Sequence, residues 1–149
     1  MVYSFEDVAA TLTGPGGSIS LGAGAGNAKE GISIEFAEDK NNRLMGADGS
    51  GVHSLRASNA ADITVRLLKT SPVNAQLNAM YNLQIASSIF WGQNVLTVSN
   101  PATGDNYPCN QVAFRKFPMI TWAEDANMNE WRFDAIQANP ILGVGIGGI

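Results

Sequence analysis

The sequence predicts a mainly β fold, a β-sandwich or partial barrel carrying one α-helix. Three observations carry this expectation. Ile32, Ile34 and Phe36 alternate with Ser33 and Glu35, and Ile63, Val65 and Leu67 alternate with Thr64 and Arg66. Period-two alternation marks a strand with one dry and one wet face. Sixteen glycines punctuate the chain into short segments, which favours tight turns over long helices. Only one stretch, opened by Ser71-Pro72, has helical spacing, and a helix can cover the dry faces that half-buried strands present.

Taken in order, residues 8–13 are weakly strand-like, Gly14-Pro15-Gly16-Gly17 is a strong turn, and 18–21 alternates behind it, so the chain opens with a hairpin. Residues 22–27, Gly-Ala-Gly-Ala-Gly-Asn, have no anchoring side chain and read as a mobile loop or a surface for close packing. The strands at 32–36 and 62–68 are separated by residues 39–61, longer than a compact domain tolerates without a purpose. That connection is disordered, an extended hairpin tip, or a contact arm for a partner. The contact arm is favoured because Leu44, Met45, Val52 and Leu55 give it apolar groups to bury.

Ser71 can accept from first-turn amides while Pro72 takes the first helical position. Val73, Leu77, Met80, Tyr81 and Gln84 then fall on one core-facing stripe, with Gln76, Asn78, Asn82 and Ser87 on a more polar side. Residues 94–98 and 106–116 form a second hairpin around the turn 100–105. Residues 119–122 read as a short strand or a bend. In the last strand, 129–137, Trp131, Phe133 and Ala135 oppose Glu130, Arg132 and Asp134. An apolar glycine-rich tail follows at 141–149.

The 149 residues fit one domain, 1–149, able to bury a core without disulfides or metal. Hydrophobic residues make up 45% and charged residues only 15%, below the usual quarter, so part of the surface is expected to be covered by other subunits. A net charge of −4 and a pI near 4.8 oppose binding to nucleic-acid phosphates. The lone cysteine, Cys109, allows no internal disulfide, and neither a signal peptide nor an apolar run of about 18 residues is seen. The expectation is a soluble protein of a reducing cytoplasm, with no membrane partner.

Chemistry finds little support. Gly143, Gly145 and Gly148 match the letters of a dinucleotide fingerprint but lack the following helix that its mechanism needs. His53 is the only histidine, so no triad or histidine-based metal site can be completed in one chain. Cys109 reads as a buried structural thiol. The acidic pairs Glu6-Asp7, Glu38-Asp39 and Glu124-Asp125 sit at element boundaries, where solvated charge is ordinary. Residues 39–43 fail a calcium loop because Arg43 takes a ligand position. No enzyme activity, cofactor or metal is expected.

The hairpin, the long loop between two alternating strands, the Ser-Pro-started helix and the closing strand together resemble the tail tube proteins of contractile-tailed bacteriophages. Residues 31–36, 41–49 and 62–71 carry the likeness. The resemblance extends to pyocin and type VI secretion tube proteins. It implies a virion structural protein, assembled in the host cytoplasm, whose hexameric rings stack into a hollow tube inside a sheath. Strands of each subunit would join a continuous inner barrel between subunits. Tape measure protein and DNA would pass through the lumen without specific binding, which an acidic wall favours. The resemblance gives Asn42, Arg43, Leu44, Met45, Val52 and Leu55 an inter-ring contact role. It places Ser33, Glu35, Thr64 and Arg66 on the lumen, with Glu35 or another carboxylate expected beside Arg66. Ile34, Phe36, Ile63 and Val65 are expected under the helix. The competing readings are a tail terminator, a secretion-system tube, and a carbohydrate-binding β-sandwich with Trp91, Trp122 and Trp131 as stacking platforms.

Overall fold

The computed structural model describes residues 2–144. After a short 3-10 turn at Phe5–Asp7 the chain forms β1 (Ala9–Gly14), β2 (Gly17–Ser20), β3 (Asn27–Phe36), β4 (Asn41–Met45), β5 (Gly51–Leu55) and β6 (Ala61–Leu68). Then follow α1 (Val73–Ile85), β7 (Asn94–Asn100), β8 (Asp105–Lys116) and β9 (Met128–Ala138). Seven strands make one antiparallel sheet in the order β2-β1-β7-β8-β9-β6-β3, and β4 and β5 pair only with each other. The mainly β class with a single helix holds. The sheet stays open, with β2 and β3 as its edges, and no closed barrel is found among the described residues.

The dry face follows the alternation. Ile63, Val65 and Leu67 of β6 lie beside Trp131, Phe133 and Ala135 of β9, in a register that pairs Val65 with Trp131 and Ile63 with Phe133. Phe114 of β8 packs on Phe133, with ring centroids 4.9 Å apart, and Tyr81 of α1 meets Phe114 edge-on at 5.5 Å. Edge-to-face aromatic contacts add roughly 0.5–1.5 kcal/mol each beyond area burial. Val73, Leu77, Met80 and Gln84 of the helix are buried, and Tyr81 is half-buried. Phe36 departs from its expected place under the helix. It is 39% exposed, with its ring against Tyr107 of β8 at 6.3 Å.

The helix start is stitched to the sheet. Val73 N–H donates to Ser71 Oγ at 3.2 Å, and Ser71 Oγ–H donates to the Ala25 carbonyl. Asn74 Nδ2 donates to the Leu68 carbonyl at 2.9 Å, while Asn74 Oδ1 accepts from Trp131 Nε1 at 2.9 Å. The helix proper begins at Val73, one residue later than the Pro72 expected from the sequence. Its far end is fixed by Gln84 and Asn94. Gln84 Nε2 donates to Asn94 Oδ1 at 2.7 Å and to the Pro15 carbonyl at 3.0 Å, and Asn94 Nδ2 donates back to Gln84 Oε1 at 2.9 Å.

Three local expectations resolve differently. Residues 22–27 take the close-packing alternative: Gly22 is buried against the Val8 carbonyl, where a Cβ would come within 2.7 Å. Strand β3 starts at Asn27 and carries a bulge between Asn27 and Ile32, with Gly31 at φ +63, the left-handed backbone that glycine adopts most readily. Residues 118–122 form no strand despite Met119, Ile120 and Trp122. Gly145 and Gly148 of the fingerprint-like tail lie outside the described residues.

Candidate functional site

The wet face of the sheet is built by β3, β6, β9 and β8 side by side. Because strand side chains alternate, residues opposite one another across these strands share that face. Ser33 stands opposite Thr64, Glu35 opposite Asp62, Thr64 opposite Arg132, Arg66 opposite Glu130, and Asp62 opposite Asp134. The structure therefore brings Ser33, Glu35, Thr64 and Arg66 onto one surface. Arg66 Nη1 donates to Ser33 Oγ at 2.8 Å, and its Nε lies 3.7 Å from Glu130 Oε1. The carboxylate beside Arg66 is thus Glu130, across from it on β9, not Glu35.

A second cluster was not foreseen from the sequence. Asp62 and Asp134 are directly opposed, a like-charge arrangement that destabilises a sheet. Arg115 of β8 reaches across both. Its Nε and Nη2 donate to Asp134 Oδ1 at 2.8 and 2.7 Å, and Nη2 lies 2.7 Å from Asp62 Oδ1. The Asp134 hydrogen bonds, and after them the charges of Asp134 and Asp62, raise the Arg115 pKa further above its already high value. Arg132 Nη2 contacts Glu130 Oε2 at 3.2 Å. Every arginine of this face, Arg66, Arg115 and Arg132, lies within 4 Å of a carboxylate. The only sequence signal for the Arg115 clamp is that Asp62 and Asp134 each occupy the wet phase of their strand.

The connection at 39–61 is an extended hairpin arm. Its ten strand residues are all exposed. Leu44 faces Val52 across the ribbon with Asn42 and Ser54 on the same side. Arg43 faces His53, with Asn41, Leu55 and Met45 on the other side. Asn41 Nδ2 lies 3.1 Å from His53 Nδ1. At the tip, Asp48 Oδ1 accepts from the Ser50 hydroxyl and amide at 2.6 and 3.1 Å, and these bonds hold the Asp48 carboxyl below its usual range. At the root, Lys40 Nζ donates to the Ser58 carbonyl at 2.8 Å and to Asn59 Oδ1 at 2.6 Å.

The edge strand β3 leaves backbone groups free. Ala37 N–H donates to the Ala60 carbonyl at 2.9 Å. In an antiparallel ladder hydrogen-bonded and non-bonded pairs alternate, so the amides and carbonyls of Ile34 and Phe36 point away from β6. Chemistry-bearing groups do not converge. Cys109 is buried, its thiol pushed up to about 11 by desolvation, and no metal-ligating cluster occurs among the described residues. No helix among them is long and apolar enough to cross a membrane. The three tryptophans form no common platform, since Trp131 is buried while Trp122 is 83% exposed.

No curated protein matches the chain. Among solved structures it is similar to a chain of the extracellular contractile injection system PVC sheath–tube complex in its extended state. The identity there is 11% and the TM-score 0.54, covering 95% of this chain and 92% of that one. It is also similar to the tube-terminating cap of the anti-feeding prophage, at 11% identity and a TM-score of 0.55 over 96% and 94%. A third likeness is to the PVC sheath/tube terminator, at 11% identity and a TM-score of 0.52 over 95% and 97%. At these identities the likeness is one of fold. The profile of the bacteriophage PhiTE tail tube protein family matches residues 1–143. An open sheet with two free edges, an exposed arm and no catalytic constellation among the described residues agree with that match: the chain belongs to the phage tail tube family, a family of structural virion proteins.

Proposed function

We propose that this chain, acting as one unit over 1–149, is the repeating subunit of stacked hexameric rings that form a tail tube. In this reading β2 and β3 pair with neighbouring subunits around the ring and close an inner barrel, which removes the edges that make an open sheet prone to aggregation. The face bearing Ser33, Glu35, Thr64 and Arg66 lines the lumen, and DNA and tape measure protein pass along it. Its three arginines support this role, each already engaged by a carboxylate, so that of the cations described on this face Lys116, opposite Arg132, is left to meet a phosphate. A sheath surrounds the tube, and assembly takes place in the host cytoplasm.

The observation that carries the reading is the arm. A lone two-stranded ribbon is marginal in water, and this one exposes Leu44, Met45, Val52 and Leu55. Through Asn42, Arg43 and those four residues it contacts the adjacent ring. Negative-stain microscopy at rising concentration tests this. The intact protein is expected to form six-fold rings and hollow tubes, and deletion of 42–51 to leave a folded, soluble subunit that does not stack. An intact protein that stays monomeric at every concentration refutes the tube. A deletion variant that polymerises normally refutes the arm's role.

A further inference from the structure

The strand register fixes where each connection lies. Ala61 stands opposite Ala135 and Leu68 opposite Met128, so the β3–β6 connection leaves one end of the sheet and the β8–β9 connection leaves the other. The first is the arm. The second, residues 117–127, contains Phe117, Met119, Trp122, Glu124 and Asp125 and no cation. Met119 is 84% exposed and Trp122 83%. Lys69 holds this loop in place, donating to the Thr121 carbonyl and lying 5.0 Å from the centroid of the Trp122 ring.

The two ends complement each other. The arm face formed by Asn41, Arg43, Met45, His53 and Leu55 bears no carboxylate. Glu38 and Asp39 lie at its root, and the Asp48 carboxylate at its tip is occupied by Ser50. Neither Arg43 nor Arg56 has a carboxylate within 4 Å among the described residues. At the opposite end, Glu124 and Asp125 have no cation within that distance. Arg43 on the arm face and Glu124 and Asp125 on the loop are thus unpaired charges of opposite sign, each beside exposed large apolar side chains. A contact between different patches on two copies either closes into a ring or repeats along an axis. With β2 and β3 closing the ring in the reading above, the two ends of the sheet are left to meet along the axis.

We propose that the arm of one copy seats on the 117–127 loop of a second copy. Arg43 faces Glu124 and Asp125, and Met45 and Leu55 cover Met119 and Trp122. This rests on the tube reading and names the surface that receives the arm.

Charge exchange tests it. Arg43→Glu and the pair Glu124→Lys with Asp125→Lys are each expected to abolish tubes in the microscope, and the three changes combined to restore them. Met45→Cys with Trp122→Cys in one chain gives a second readout, because Cys109 is buried and stays out of exchange. Mild oxidation of that protein is expected to yield a ladder of covalent oligomers, and either single cysteine to stop at dimers. Charge variants that form tubes like the intact protein, or tubes of the two-cysteine protein that yield no ladder, overturn the pairing while leaving the tube standing. An intact protein that forms no tubes overturns both.

Discussion

Replacing Gln84 with Met probes the buried amide pair that fixes the far end of the helix on the sheet. Gln84 and Asn94 are both 0% exposed, and the two side chains satisfy each other through reciprocal bonds of 2.7 and 2.9 Å. Methionine fills a similar volume but leaves Asn94 Oδ1 and Nδ2 buried without partners. It also takes the Gln84 donor from the half-buried Pro15 carbonyl, a smaller loss because water can reach that group. A buried polar group so stranded costs about 1–3 kcal/mol, so two give a loss of about 3 kcal/mol after the apolar side chain recovers a little through burial. With a urea slope of about 2 kcal/mol/M for a chain of this size, the midpoint falls by about 1.5 M. Unfolding is followed by the fluorescence of buried Trp131 at concentrations too low for assembly. Adding Asn94→Leu removes the stranded amide as well, and the double variant is expected to return to within about 1 kcal/mol of the parent. A single variant that loses less than about 1 kcal/mol, or a double variant whose loss equals the sum of the two singles, refutes the reasoning.

Gly14→Ala should act on the same pair from the other side, because an added Cβ would lie 1.8 Å from Asn94 Oδ1; the expected loss is about 2–3 kcal/mol, and it should shrink in an Asn94→Ala background. Arg115→Ala releases Asp62 and Asp134 to face each other. Since these groups are between a third and a half exposed, the loss by urea unfolding is expected to be only about 0.5 kcal/mol, and smaller in 1 M salt. The buried thiol predicts a pH effect. Cys109 is raised from its ordinary 9.0 to about 11, so the unfolded chain releases its proton first, and the stability present below pH 9 is lost as pH rises toward 11. Urea midpoints measured between pH 8 and 10.5 should fall more steeply for the parent than for Cys109→Ala.

Elements whose two faces meet different surroundings were legible. Ile63, Val65 and Leu67, or Trp131, Phe133 and Ala135, alternate because a one-residue slip would turn each set into water. The helical stripe from Val73 to Gln84 was legible for the same reason. For the arm, an extended hairpin was one of three readings and could not be singled out: with both faces wet, Asn41–Met45 and Gly51–Leu55 have no burial pattern to impress on their sequence. Residues 119–122, which read as a short strand or a bend, form no strand: after Pro118, Met119 and Trp122 are left exposed and Ile120 is only half-buried. On the wet face, positions could be read but partners could not. That Arg66 meets Glu130, and that Arg115 spans Asp62 and Asp134, depends on which strands become neighbours. Those pairings join residues of different strands that are distant in sequence, as Arg66 and Glu130 are, and no local periodicity encodes them.

The place of β9 in the strand order has a consequence for synthesis. It lies between β8 and β6, so β2-β1-β7-β8 on one side and β6-β3 on the other are joined into one sheet only through it. As the chain leaves the ribosome, two partial sheets wait with raw inner margins until the final strand arrives, and sheets closed by such distant pairings form slowly. An interrupted translation product ending before Met128 lacks this keystone and presents two unjoined halves in place of the full wall. In the tube proposed above, such a product would have no complete wall to offer a neighbouring subunit.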